Sequence, residues 1–371
     1  MNKKSPKKII EDRKKEGIEL ALKNTSAMTK TTLLECVELL HCALPEINFD
    51  DINTSTKFLG HNLKFPFLID SMTGGTPAAQ KINTRLAQAA EEFGIGMGVG
   101  SQRAGLLSNK LAESFKVVRK NAPNAFIFSN IGGAQLSQGL DYQSIKKLLQ
   151  MIDADALAIH LNPLQELVQP EGESNYLSVL SRIGELSSDL DVPIIVKEVG
   201  SGISPSVAKK LSATKIGAIN VAGMGGTSWA GIEQIRAKKF NNKQKANLGL
   251  LFWDWGIPTA ATIFLTRNSV KIPIIASGGL RNGLDLAKTI TLGADVGGFA
   301  RPMLTPASKS YNSLKDFINQ LILELKSTMF LVGAKNIDDL NELLFNMKKI
   351  NKLKKIKEIM NNNLHLQKLN K

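Results

Sequence analysis

Eight short apolar runs, each closed by glycine or a polar turn and each followed by a stretch with helical spacing, constrain this chain more than any other feature. They are PFLIDSMTGG, GIGMGVGSQ, AFIFSNIGG, ALAIHLN, VPIIVKEVG, GAINVAGMGG, IPIIASGG and DVGGFARPM. Runs that are apolar at successive positions bury both faces, as parallel strands covered by helices do. Between them lie amphipathic stretches such as PAAQKINTRLAQAAEEF, which opens on Pro77 where a first helical turn tolerates it, and NGLDLAKTITLG, which stops at Gly293. Strands and helices in this alternation predict an α/β chain closed into a single (β/α)8 TIM barrel; an open doubly wound sheet would want a Gly-rich fingerprint early and a change of strand order later. The 371 residues, 43% of them hydrophobic, suit one large domain of this kind. The expected division is an N-terminal segment 1–60, a barrel over 61–332 and a helical, Lys-rich tail over 333–371.

A net charge of +14 invites a nucleic-acid reading, which its distribution weakens. Between Met347 and Lys371 eight lysines face one glutamate, and from Met1 to Lys15 seven cationic side chains face two acidic ones, so the body between is nearly neutral. That body has no basic stripe with interleaved aromatics, so no nucleic-acid partner is expected. No run of eighteen apolar residues exists and the charged N-terminus lacks an apolar continuation, so no membrane partner or secretory signal is read and the cytoplasm is the expected compartment. Cys36 and Cys42, on LLECVELLHCALPE, are expected as structural thiols on a buried helix or strand.

In such a barrel, chemistry gathers at the C-terminal ends of the strands. Residues suited to it fall there: Ser71, Met72, Thr73, Gly74 and Gly75; Ser101 and Arg103; Asn130; Lys197; Gly225, Gly226 and Thr227; Ser277, Gly278 and Gly279; Ala300 and Arg301. The fourth run ends in His160, Asn162, Gln165 and Glu166, a titratable ring, two amides and a carboxylate within one short turn. After the seventh and eighth runs, ASGGLRNG and FARP occupy the positions where barrels hold a phosphate, with Arg281 and Arg301 for charge and the Thr227 hydroxyl nearby. Lys197 would be costly to bury alone. Either it pairs with Glu198 or Asp70, or it faces an electron-rich ring; together with the phosphate cradle it suggests FMN. The long gap from Val221 to Thr262 is expected to be a lid or binding loop, with Trp229, Trp253 and Trp255 as pocket walls or as loop packing.

RKKEG, HCALPEINFDDINTSTKFLGHNL, SMTGG, GVGSQRAGL, SNIGGAQ, HLNPLQELVQPEGE, VKEVGSGIS, VAGMGGTSW, SGGLRNGLD and FARPML, in that order from Arg13 to Leu331, resemble the flavin-dependent type 2 isopentenyl diphosphate isomerases. The resemblance implies that Met72, Thr73, Gly74, Ser101, Asn130 and Lys197 line the FMN ring and ribityl chain. Thr227, Gly279, Leu280, Arg281, Ala300 and Arg301 would hold its phosphate. Arg13 and Lys14, from this or a neighbouring subunit, with Ser101, Arg103, His160, Asn162 and Gln165, would hold the diphosphate of isopentenyl or dimethylallyl diphosphate. Glu166 would bind Mg²⁺, and Gln165 and Lys197 would serve catalysis beside reduced FMN as acid and base. NADPH would only charge the flavin, in a homo-oligomer of the tetramer or octamer kind working in isoprene biosynthesis. One departure is Gly17, where such sequences usually carry histidine.

The chemistry agrees with this. A diphosphate takes Mg²⁺ through a carboxylate and water instead of a full protein cage. Moving a double bond requires one proton placed and another removed, and His160 alone in the ring titrates near neutrality. The competing enzyme reading is an FMN oxidoreductase of the 2-hydroxy-acid oxidase or dihydroorotate dehydrogenase type, which would want a base facing the flavin; no histidine lies between His160 and His365. A basic scaffold for RNA or acidic partners would explain the termini and leave the ring of polar strand ends unexplained.

Overall fold

The computed structural model describes residues 6–23 and 25–343. The barrel strands are β1 (Phe67–Ile69), β2 (Gly96–Gly98), β3 (Ile127–Gly132), β4 (Ala156–His160), β5 (Ile194–Lys197), β6 (Ala218–Asn220), β7 (Ile274–Ser277) and β8 (Val296–Phe299). They run parallel in sequence order, and β8 closes onto β1. The chain thus forms the closed TIM barrel that its eight runs predict.

Side chains alternate across each strand. Leu68, Phe128, Ala156, Ala158, Ile195, Ala218, Ile275 and Val296 form the barrel's interior cluster, whereas Ile69, Met97, Ile127, Leu157, Ile159, Val196, Ile219 and Ile274 pack outward against the helices. A hairpin, Thr56–Phe58 with His61–Leu63, supplies Phe58 and Leu63 to the interior cluster and plugs the end where the strands begin. Capping fixes the helix starts: the Thr76 side chain accepts from Ala79 N and Asn282 from Asp285 N.

Strand register sets the site. Gly132 pairs with His160, His160 with Lys197, and Lys197 with Asn220, so three polar side chains stand at one level on consecutive strands. Each follows the last interior apolar residue of its strand by two positions, which keeps it on the inner face.

Two expectations change. The gap between β6 and β7 is mostly helical, Trp229–Lys239, Lys243–Leu251 and Thr259–Arg267. The first of these buries Glu233, Gln234 and Arg236 beside Ala230 and Ile232, and polar residues facing inward erase the stripe by which a helix is read. The cysteine stretch is neither helix nor strand but a single 3₁₀ turn, Leu34–Cys36, that buries Leu34 and Val37 and leaves Cys36 and Cys42 free and half-buried. Ala334, Ile337 and Leu340 belong to the main core, so packing continues past 332; residues 344–371 of the expected tail lie outside the described residues. Among the described residues no helix is long and apolar enough to cross a membrane.

Candidate active site

The barrel's inner face ends in a polar network at the level where the strands stop. Ser277 donates to Asn220 Oδ1 at 2.6 Å, Asn220 Nδ2 donates to Asp70 Oδ2 at 3.1 Å, and Lys197 Nζ stands 3.8 Å from Asp70 Oδ1 while donating to the Glu198 carbonyl at 2.9 Å. The ion pair with Asp70 foreseen as the alternative for Lys197 is therefore present at long range, with further donor capacity left on Nζ. Glu198 turns away and takes the backbone N–H groups of Val199, Gly200 and Ser201 on one oxygen. Burial pushes its carboxyl up to about 7, against the pull of those three donors.

His160 shows the site's electrostatics most directly. Asn130 Nδ2 donates to the Val99 carbonyl at 3.1 Å, so its Oδ1, 2.8 Å from His160 Nδ1, is an acceptor and Nδ1 carries the hydrogen. Burial, then the charges of Lys197, Arg13 and Lys14, bring the ring down to about 3, so it is neutral with Nε2 unprotonated. Lys14 donates to the carbonyls of Gly74 at 3.0 Å and Ser101 at 2.6 Å, and burial followed by Arg13 lowers it to about 7. Too many cations face too few anions here.

The helix Pro6–Leu22 of the same chain lays Arg13 and Lys14 over this mouth. Arg13 has no acidic partner among the described residues, while Arg103 rests on Glu173 at 3.3 Å. The helix Pro163–Val168, begun by Pro163, presents Gln165 and Glu166. Glu166 accepts from Asn162 Nδ2 at 3.0 Å on one oxygen and from Glu173 N at 2.8 Å on the other, leaving each a second lone pair. Among the described residues no group of three or more His, Cys, Asp and Glu could hold a metal by itself. A cation here would have to draw on ligand oxygens and water, as Mg²⁺ beside a phosphate does.

Across the cavity, Gly278 has φ +98° and a Cβ there would lie 2.1 Å from the Gly223 carbonyl, so the backbone of the expected cradle must be bare. Arg301 opens the helix Arg301–Lys309; burial and the neighbouring Arg281 both lower it, and no acidic side chain meets it among the described residues. An anion would relieve that strain, as the phosphate of FMN would. Gly74, at φ +155°, has the Phe115 ring 1.9 Å from where its Cβ would be, bringing bare backbone to the wall. The Thr73 hydroxyl is turned away, donating to Asn83 Oδ1 at 2.5 Å.

One cavity, with about 1750 Å³ of empty space partly open to solvent, touches every residue singled out for the site except Gly75, Gly225 and Arg281, the last with its backbone N–H tied to Asp285 at 2.9 Å. Trp229 lines it; Trp253 instead packs on Gly231 and donates to the Ala27 carbonyl at 3.0 Å, and Trp255 is exposed. Sequence reasoning missed Glu233, whose Oε1 accepts from Gln165 Nε2 at 3.2 Å, and Tyr176, whose hydroxyl donates to Asn162 Oδ1 at 2.9 Å. Both come from segments away from the strand ends, where no local signal marks them.

A profile of the FMN-dependent dehydrogenase family matches residues 144–347. Isopentenyl-diphosphate delta-isomerase of Methanosarcina barkeri is 48% identical over 330 residues, covering 88% of this chain and 89% of that protein. Its namesakes from Halobacterium salinarum and Sulfurisphaera tokodaii are 46% and 45% identical over 335 residues each, covering 90% of this chain and 92% and 90% of theirs. Among solved structures, a flavocytochrome b2 variant superposes with a TM-score of 0.66 at 17% identity, covering 90% of this chain and 84% of that one, which speaks to the fold alone.

Proposed function

The chain belongs to the FMN-dependent isopentenyl-diphosphate delta-isomerases, and from that premise we propose that its cavity exchanges a proton, not a hydride, with its substrate, holding flavin at the Arg301 end and the diphosphate of isopentenyl or dimethylallyl diphosphate at the Arg13 end. The observation that carries this reading is a pair of under-neutralised cations, Arg13 and Arg301, lining one cavity with Lys197 and, among the described residues, no histidine poised as a base.

The residues divide the work. The bare backbone from Gly278 to Leu280, with Thr227, Ala300 and Arg301, cradles a phosphate. Met72, Thr73, Gly74, Ser101 and Asn130 wall the ring site, and Lys197 offsets negative charge there. Arg13, Lys14, Arg103, Ser101 and Asn162 receive the diphosphate. Its charge opposes the effects that strip His160 and Lys14 of their protons, so both gain proton affinity when it arrives. Glu166 would hold Mg²⁺, which would offset charge on the diphosphate. Gln165, oriented by Glu233, holds the alkene or passes a proton at its amide. Reduced flavin, when bound, supplies the acid and base that these side chains lack. NADPH is then needed only to reduce it, and the working enzyme is a homo-oligomer serving isoprene synthesis.

The test follows NADPH absorbance and product together over many turnovers in deuterated water. A brief initial loss of NADPH followed by continuing, deuterium-bearing product is expected. Reductant consumed one-for-one with product would overturn the isomerase reading in favour of a hydride-transferring oxidoreductase.

A further inference from the structure

Arg236, on the helix Trp229–Lys239, has a side chain only 2% exposed, and each of its nitrogens reaches a different carboxylate. Nε donates to Glu16 at 3.0 Å, NH1 to Glu233 at 2.6 Å and NH2 to Glu171 at 2.6 Å. An arginine that merely steadied its own helix would be satisfied by Glu233, one turn earlier. The other two partners lie 220 and 65 residues away in sequence.

Each of the three carries a working part of the site. Glu16 follows Arg13 and Lys14 on the N-terminal helix. Glu171 belongs to the segment that runs on to Glu173, which donates its N–H to Glu166 and pairs with Arg103. Glu233 uses its other oxygen to accept from Gln165 at 3.2 Å. A planar guanidinium spans three carboxylates at fixed angles, which a lysine ammonium cannot do, and a buried cluster of this kind is stable only when its members are all in place.

We propose that Arg236 is a positioning residue for the isomerisation: it sets Glu233 against Gln165 and couples that contact to docking of the N-terminal helix that brings Arg13 and Lys14 over the cavity. This rests on the isomerase reading for the identity of the substrate, but the coupling itself does not.

Two measurements test it. In steady-state kinetics, Glu16→Gln should raise KM for isopentenyl diphosphate about tenfold with kcat near wild type, because saturating substrate docks the helix in its place. Arg236→Met and Arg236→Lys should raise KM similarly and also lower kcat about tenfold or more, with lysine failing to rescue. In limited trypsin digestion, cleavage after Lys14 and Lys15 should be slow in wild type and faster in both Glu16→Gln and Arg236→Lys, with inorganic diphosphate restoring protection to Glu16→Gln. A lowered Tm with unchanged kcat, KM and cleavage would overturn the proposal and leave Arg236 as packing. Should Arg236→Met not fold, the other two variants decide. If wild type fails to isomerise while the cleavage pattern holds, the isomerase reading falls and the coupling stands.

Discussion

Glu198 follows the last residue of β5 and His160 ends β4, and burial moves their proton affinities in opposite directions, the carboxyl up to about 7 and the imidazole down to about 3. For Glu198 the folded value lies above the unfolded one, so between about pH 4.5 and 7 the native state holds more protons than the unfolded chain, and stability from this group falls as pH rises through that window. Above it the full loss is on the order of 3 kcal/mol. His160 behaves oppositely: its folded value lies below the unfolded one, so its contribution is lost as pH falls from about 6.5 to 3. Glu198→Gln keeps an oxygen for the three backbone donors and cannot ionise. Its urea midpoint, followed from pH 4.5 to 7.5, should therefore drop less than that of wild type. Parallel curves would show that Glu198 is ionised throughout.

At the scale of elements, the two halves of the barrel repeat one device. Asp155, just before β4, accepts from Ile127 N of β3 at 2.7 Å and pairs with Arg119 at 2.8 Å. Asp295, just before β8, accepts from Ile274 N of β7 at 2.7 Å and pairs with Arg267 at 2.7 Å. Each arginine comes from the helix preceding the earlier strand and also donates to a carbonyl at the turn before the aspartate, Asp153 in one half and Gly293 in the other. Both staples lie where strands begin, away from the site, a face that in barrels serves stability. Asp155→Ala should cost about 2 kcal/mol in urea unfolding, and Asp295→Ala, whose side chain is more exposed, about 1 kcal/mol. Neither should change flavin content per protein, and a loss of flavin in the folded variants would show that the staples reach the site.

For the molecule as a whole, the barrel holds itself together with apolar layers inside and outside the strands, and no metal cage contributes among the described residues. A divalent cation recruited by Glu166 and a diphosphate would be a partner of the substrate, not of the fold. Chelation with EDTA should stop turnover while leaving Tm unchanged, and restored Mg²⁺ should bring activity back. A Tm that falls on chelation would point to a structural metal.

The sequence by itself determined the number and direction of the strands, because a strand buried on both faces must be apolar at every position and that pattern is local. It also placed His160, Lys197 and Ser277, since the polar residue that ends an inward-facing series has to emerge at the barrel mouth. Asn220 obeys the same rule and was legible in principle, at the end of GAIN. What only the tertiary structure decided depends on chain closure. Lys14 meets Gly74 and Ser101 across 60 and 87 residues, Arg236 meets Glu16 across 220, and no periodicity encodes such pairings. The helices between β6 and β7 were hidden for the same reason, their inward polar residues having partners only in the assembled fold. Protonation followed suit: a histidine reads in sequence as a group that titrates near neutrality, and only burial beside Lys197, Arg13 and Lys14 keeps His160 neutral.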